Sequence, residues 1–169
     1  MSLTILSDRE ILELLRGRER MITNFVSLED QIQPSGFDLT LRSAAVFSGQ
    51  GTLGKSGERT LSALQGVKPR GSHLELGEGS YLVRYNEHVS LPLDVAALVL
   101  PRSSLMRMGV TLHTAVWDPG YRGRGVGLLA VHNTDGVRIE IGSRIAQMIF
   151  MVTSRKPARR YGGTYQDER

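Results

Sequence analysis

The feature that most constrains this chain is the spacing of its apolar residues. Short apolar segments recur at 80–85, 95–100, 110–117, 126–132, 137–141 and 144–152, and Gly, Pro, Asn or Asp punctuates them. Many short strands at such spacing argue for an all-β sandwich, jelly roll or barrel-like fold. An earlier stretch, Phe37 to Phe47, alternates in part through Leu39, Leu41 and Ala45, and reads as one more strand. Residues 48–72 hold six glycines among Ser, Lys and Arg, and read as a long loop or irregular excursion. One helix is expected, over 7–16. Ser7 and Glu10 have capping-box spacing, and Ile11, Leu12, Leu14 and Leu15 give one buried face. Gly17 is a plausible stop. No repeat or linker divides the chain, so residues 1–169 read as one domain. The stretch from about 155 to 169 is expected to be mobile, because YGGTYQDER offers little to pack.

Composition excludes several classes of function. The chain has no cysteine, which removes a disulfide framework and a thiolate nucleophile and makes a cytoplasmic setting the default. It also removes a zinc deaminase, which needs a Cys pair. The histidines His73, His88, His113 and His132 show no metal-ligand spacing. No apolar run approaches a membrane span, and MSLTILSDRE lacks a basic start and apolar stretch, so neither a membrane partner nor a signal peptide is expected. The net charge of +4 suggests phosphate-bearing partners. With aromatics at 6% and no basic run interleaved with rings, a nucleic-acid partner is not expected. The basic cluster RKPARR at 155–160 reads as a solvated tail segment. No GxxxxGK[ST] or strand-borne GxGxxG occurs, so any nucleotide is bound by another design.

Three segments could carry chemistry. PRSSLMRMG, 101–109, follows a strand and offers Arg102 and Arg107 as forked donors for phosphate oxygens, with the Ser103 and Ser104 hydroxyls beside them. Its plainer reading is a serine-capped helical turn with solvated arginines. AVWDPGYRG, 115–123, has Asp-Pro-Gly turn chemistry. That explains the turn but not why Trp117, Asp118 and Tyr121 sit together. A carboxylate beside a ring suits a water-activating base next to a nucleoside. In GSRIAQMIF, 142–150, Gln147 is polar within an apolar run and needs a partner, backbone or ligand, backbone being the commoner.

Together, QIQPSGFDLTL (31–41), LPRSSLMRMG (100–109), WDPGYRG (117–123) and GSRIAQMIF (142–150) resemble, in order, the successive motifs of the dUTPase and dCTP deaminase superfamily. The helix at 7–16 and the tail YGGTYQ, 161–166, resemble its deaminase-like branch. The resemblance implies a distorted β-barrel or jelly-roll-like fold, a homotrimer with sites between subunits, a deoxynucleoside triphosphate substrate and Mg²⁺ held through phosphates and water. By the same resemblance, Arg102, Ser103 and Ser104 are phosphate-binding positions. Arg107 is a second arginine, serving subunit contact or catalysis. Asp118 contacts the sugar 3′-hydroxyl and orients water, and Tyr121 lies under the deoxyribose. Gln147 reaches the phosphates, Tyr165 and Gln166 close over the nucleotide, and Asp38 is structural.

The deaminase branch uses a glutamate in the strand after the Asp-Pro-Gly turn. Here that stretch is RGVGLLAVHN, 124–133, and the glutamate position falls on Ala130 or Leu128 depending on register. No acid occurs from Tyr121 to Thr134. Neither side chain can move a proton, so the expected activity is hydrolysis of dUTP to dUMP and pyrophosphate by water attack on the α-phosphate. The alternatives are a dCTP deaminase or bifunctional enzyme using Asp135 or Glu140, and a non-catalytic nucleotide-binding trimer. Two departures bear on the base pocket: Trp117 in place of a smaller aliphatic residue, and the residues inserted around Gly125.

Overall fold

The computed structural model describes residues 4–17 and 20–168. The first elements are β1 (Thr4–Ile5), α1 (Asp8–Arg16), β2 (Ile22–Thr23), α2 (Leu28–Gln31), β3 (Ile32–Gln33) and the long β4 (Gly36–Ser48). The excursion follows as β5 (Thr52–Leu53), β6 (Arg59–Thr60) and β7 (Ala63–Gly66). Then come β8 (His73–Leu76), β9 (Gly79–Tyr85), β10 (His88–Ser90), β11 (Val95–Pro101), α3 (Ser103–Arg107) and β12 (Val110–His113). The chain ends with β13 (Arg122–Gly123), β14 (Val126–Val131), β15 (Val137–Glu140) and β16 (Arg144–Val152). Each apolar segment expected as a strand contains one, although 110–117 is strand only over Val110–His113 and reaches Trp117 through a loop with one bridge to Ala97. The 48–72 excursion contains strands of its own, and β7 pairs with β4.

β4 organises the fold. Its first half pairs with β16, and its second half pairs with β9 and β7 after an irregularity between Leu41 and Ser43. A bulge bends a strand and raises its twist, so one strand can serve two sheet directions. The path β1-β16-β4-β9-β14-β12 curls round the core, with β11 alongside β16. Residues 36–41 are buried at every position, because both faces of β4 are covered here. Phe37, Leu39, Leu41, Leu129, Met148 and Phe150 are fully enclosed. Truncating an aromatic at such a site costs about 3–5 kcal/mol. Gly36 is required by close approach: a Cβ there would sit 2.5 Å from the Met148 carbonyl oxygen.

α1 starts where the sequence says. The Ser7 backbone N–H donates to the Glu10 carboxylate at 2.8 Å, and this bond holds the Glu10 carboxyl below its usual pKa. Ile11 and Leu15 face the core. Gly17 caps the helix, but with φ −61° it does so in extended backbone, not as the left-handed stop that glycine favours.

A buried polar network braces the base of β4. The Gln31 amide donates to Glu87 Oε1 at 2.7 Å, and Thr40 donates its N–H to Oε2 at 2.9 Å and its hydroxyl to Oε1 at 2.6 Å. Burial pushes the Glu87 carboxyl up, and these three donors partly offset it. Among the described residues no helix is long and apolar enough to cross a membrane.

Candidate functional site

The motif residues gather in two places. The first is a groove of about 700 Å³ where β11 runs into α3, lined in part by Arg102, Ser104, Arg138, Arg144, His73 and Glu140. β11 lies along β16, and the Arg102 N–H donates to the Ile145 carbonyl at 3.1 Å. The Arg102 guanidinium pairs with the fully buried Asp38 carboxylate, and Arg144 stands 3.6 Å from the same carboxylate. An isolated buried carboxylate would be costly, so these arginines are what lets Asp38 sit there. Burial first, and then the Arg144 charge, pulls the Arg102 pKa below its ordinary value, though a guanidinium stays cationic. Its remaining N–H groups are available to an anion.

Ser103 opens α3 and Ser104 follows it, both exposed. The helix cap is Arg102, not a serine. Arg107 is exposed and folds back on its own helix, donating to the Ser103 carbonyl at 3.1 Å. Gln147 stands opposite both Asp38 and Leu100 in the sheet. Among the described residues nothing hydrogen-bonds its half-buried amide, so the commoner backbone partner is not taken.

The second place is a pocket of about 440 Å³ beside the Asp-Pro-Gly turn, lined by Trp117, Tyr121, Gly125, Leu128, Tyr161 and Tyr165 among others. The Asp118 carbonyl accepts the Tyr121 N–H at 3.0 Å, and Gly120 takes the positive φ of 80°. This turn leaves Asp118 exposed and sends Tyr121 inward. Trp117 is bonded in both directions to Ala97 of β11. The Trp117 and Tyr121 rings meet edge to face with centroids 5.0 Å apart, and Tyr121 meets Tyr161 at 5.5 Å. Burial chiefly, with the nearby Glu168 charge, pushes the Tyr121 hydroxyl pKa well up, so it stays neutral. The two departures noted in the sequence explain each other. A Cβ on Gly125 would lie 2.2 Å from the Trp117 ring, so the large indole needs glycine opposite it.

Leu128 lines this pocket, and Ala130 lies further along the same strand. Asp135 sits exposed in the loop beyond β14, and Glu140 lines the other groove. Sequence reasoning missed Glu168, the carboxylate that does border the pocket, 3.2 Å from Arg84. It also passed over Arg144, although the residue stands inside the quoted motif GSRIAQMIF.

The tail has defined partners. Tyr161 N–H donates to the Pro119 carbonyl at 2.9 Å, and Asp167 N–H donates to the Arg122 carbonyl at 2.7 Å. The Gln166 amide spans Gly120 and Arg122, at 3.1 Å each. Gln166 therefore ties the tail to the turn, while Tyr165 forms pocket wall. Arg169 lies outside the described residues.

Arg102 and Trp117 are not neighbours. Trp117 is tied to Ala97, and Arg102 stands five residue steps further along the chain, about 17 Å at roughly 3.3 Å per residue. The groove thus adjoins the end of β11, and the pocket adjoins an earlier part of the same strand.

The chain belongs to the dCTP deaminase-like family, whose model matches residues 5–153. It is similar over 98% of both chains to proteins named "Probable deoxyuridine 5′-triphosphate nucleotidohydrolase", with 38% identity to that of Methanosarcina barkeri and 40% to that of Archaeoglobus fulgidus. Among solved structures it resembles a 2′-deoxycytidine 5′-triphosphate deaminase from Agrobacterium tumefaciens, with TM-score 0.68 and 22% identity over 90% of this chain. The chain spans about half the length of that solved chain, and the likeness shows the fold. The distorted all-β fold with a short N-terminal helix that the sequence implies is the fold found.

Proposed function

We propose that this protein is a dUTP diphosphatase, converting dUTP and water to dUMP and pyrophosphate. The observation that carries the reading is the wall of the aromatic pocket. It has a sugar-sized ring, Tyr121, on the same turn as the exposed Asp118, whose carbonyl accepts the Tyr121 N–H, and it has Leu128 where deamination would need a proton carrier. The names of the near-full-length relatives support it.

In this reading the deoxyribose packs on the Tyr121 ring, which would crowd out a 2′-hydroxyl. Asp118 orients a water and takes its proton as the oxygen attacks the α-phosphorus. The bond from that phosphorus to the oxygen bridging to the β-phosphate breaks, and pyrophosphate leaves. Arg102, Ser103, Ser104 and Gln147 hold the phosphates, with Arg144 beside them. Among the described residues no cluster of three metal-ligating side chains occurs. Mg²⁺ would then be carried by the triphosphate and its waters and would neutralise charge on the departing pyrophosphate.

The distance between the two places supports a site shared between copies. Arg102 and the serines of one subunit would face Asp118 and Tyr121 of the next in a closed homotrimer. The test is to incubate purified protein with Mg²⁺ and, separately, dUTP and dCTP, following pyrophosphate and ammonia together. Pyrophosphate from dUTP without ammonia from dCTP is expected. Ammonia from dCTP would favour a second reading, deamination with Glu168 as the proton carrier, since that carboxylate reaches the pocket.

A further inference from the structure

The glycine-rich excursion has no counterpart in the motifs, yet it touches the tail. β5 and β6 form a small hairpin, with Thr52 opposite Thr60 and Leu53 opposite Arg59. An apolar cavity of about 730 Å³ lies between this hairpin and the main sheet, lined by Leu53 of the hairpin and by Phe47 and Leu64 of the sheet, among others. Tyr165 and Glu168 line both this cavity and the aromatic pocket, so the tail is the partition between them.

One side of the tail is tied to the turn through Gln166 and Asp167. The other side meets Arg59. Its guanidinium donates to the Thr164 hydroxyl and lies 5.9 Å from the centroid of the Tyr165 ring. A planar guanidinium can face a ring and still donate a hydrogen bond from its edge, which an ammonium does less well. Thr164 and Tyr165 are adjacent, so this one side chain fixes both the backbone position and the ring direction.

We infer that Arg59 is a positioning residue for substrate binding. It holds Tyr165 in place as a wall of the aromatic pocket, and the β5–β6 hairpin presents it. The inference rests on the diphosphatase reading for its effect on dUTP, but the clamp itself is a property of the chain. Both contacts are solvent-exposed, so the effect is modest. Arg59→Ala should raise KM for dUTP about three- to tenfold and change kcat less. Arg59→Lys should recover part of the loss.

Two measurements decide it. The first is limited trypsin digestion of the full chain, read by intact mass. Arg159 and Arg160 are exposed just before the tail, and cutting there releases it. Arg59→Ala should lose the tail several-fold faster than wild type while melting at the same temperature. Equal rates of loss would overturn the inference. The second places Arg59→Ala in a chain lacking residues 161–169. If Arg59 acts through the tail, the substitution changes KM no further in that background; a further change would overturn it. Should wild type release no pyrophosphate from dUTP, the diphosphatase reading fails, and the digestion still decides whether the clamp exists.

Discussion

The groove at the end of β11 and the pocket beside the Asp-Pro-Gly turn are built on different physical grounds. The groove is organised by charge: two arginines converge on one buried carboxylate, Asp38, supplied by β4. The pocket is organised by shape: three rings stand edge to face, a glycine makes room for the indole, and the tail closes one side. Losing Arg102 would leave the buried Asp38 without its nearest partner. A shape-built site can change a wall and keep its fold. Function and stability are therefore coupled in the groove and separable in the pocket.

The sharpest way to break that comparison begins at the pocket. Asp118→Asn is nearly isosteric at an exposed turn, so turnover of dUTP should fall by about 10²–10⁴-fold with the melting temperature unchanged. Near-wild-type turnover would remove Asp118 as the base. In the groove, Arg102→Ala should cost both activity and stability, the latter by about 3–5 kcal/mol, because Asp38 is left without its nearest partner. Arg107→Ala, on the same short helix but exposed, should fall within about 0.5 kcal/mol of wild type in urea unfolding. Equal losses from both arginines would contradict the charge-built description.

Gly125→Ala forces a methyl against the Trp117 ring and should cost about 1–3 kcal/mol. Trp117→Val in the same chain should return part of it, and strict additivity of the two changes would show that they do not share space. The smallest effect concerns Glu87. Its folded pKa lies above the ordinary 4.5, so the folded state binds its proton more readily than the unfolded chain does. Its contribution to stability is therefore greatest below that ordinary value and declines as pH rises through the raised one. Comparing urea midpoints of wild type and Glu87→Gln across that window isolates the slope, which the amide should lack.

How much of this is legible in the sequence follows from the range of the interactions. α1 and the Asp-Pro-Gly turn are set by neighbours a few residues apart, and both are found where the residues place them. The strands follow from local apolar spacing. The Arg102–Asp38 pair joins residues far apart in the chain, and neither strand announces the other. Gly17 shows the limit of a local rule, since it ends the helix without using the conformation that makes glycine a good stop. The strand after the turn left two possible registers for the missing glutamate. Only the fold shows that Leu128 lines the pocket, because register depends on pairing with β9 and β12. The tail's partners lie in the 119–124 segment, at Arg84 and in the excursion, and nothing in YGGTYQDER indicates any of them.

In the proposed reading, groove and pocket are two halves of one site, contributed by different copies of the chain. Arg102→Ala and Asp118→Asn should each be nearly inactive alone. Unfolding and refolding them together in equal amounts should restore dUTP hydrolysis to about a quarter of the wild-type rate, because random assembly gives that share of sites two intact halves. If the mixture stays as inactive as its components, while each variant still folds, both halves serve the site of a single chain and the claim is wrong.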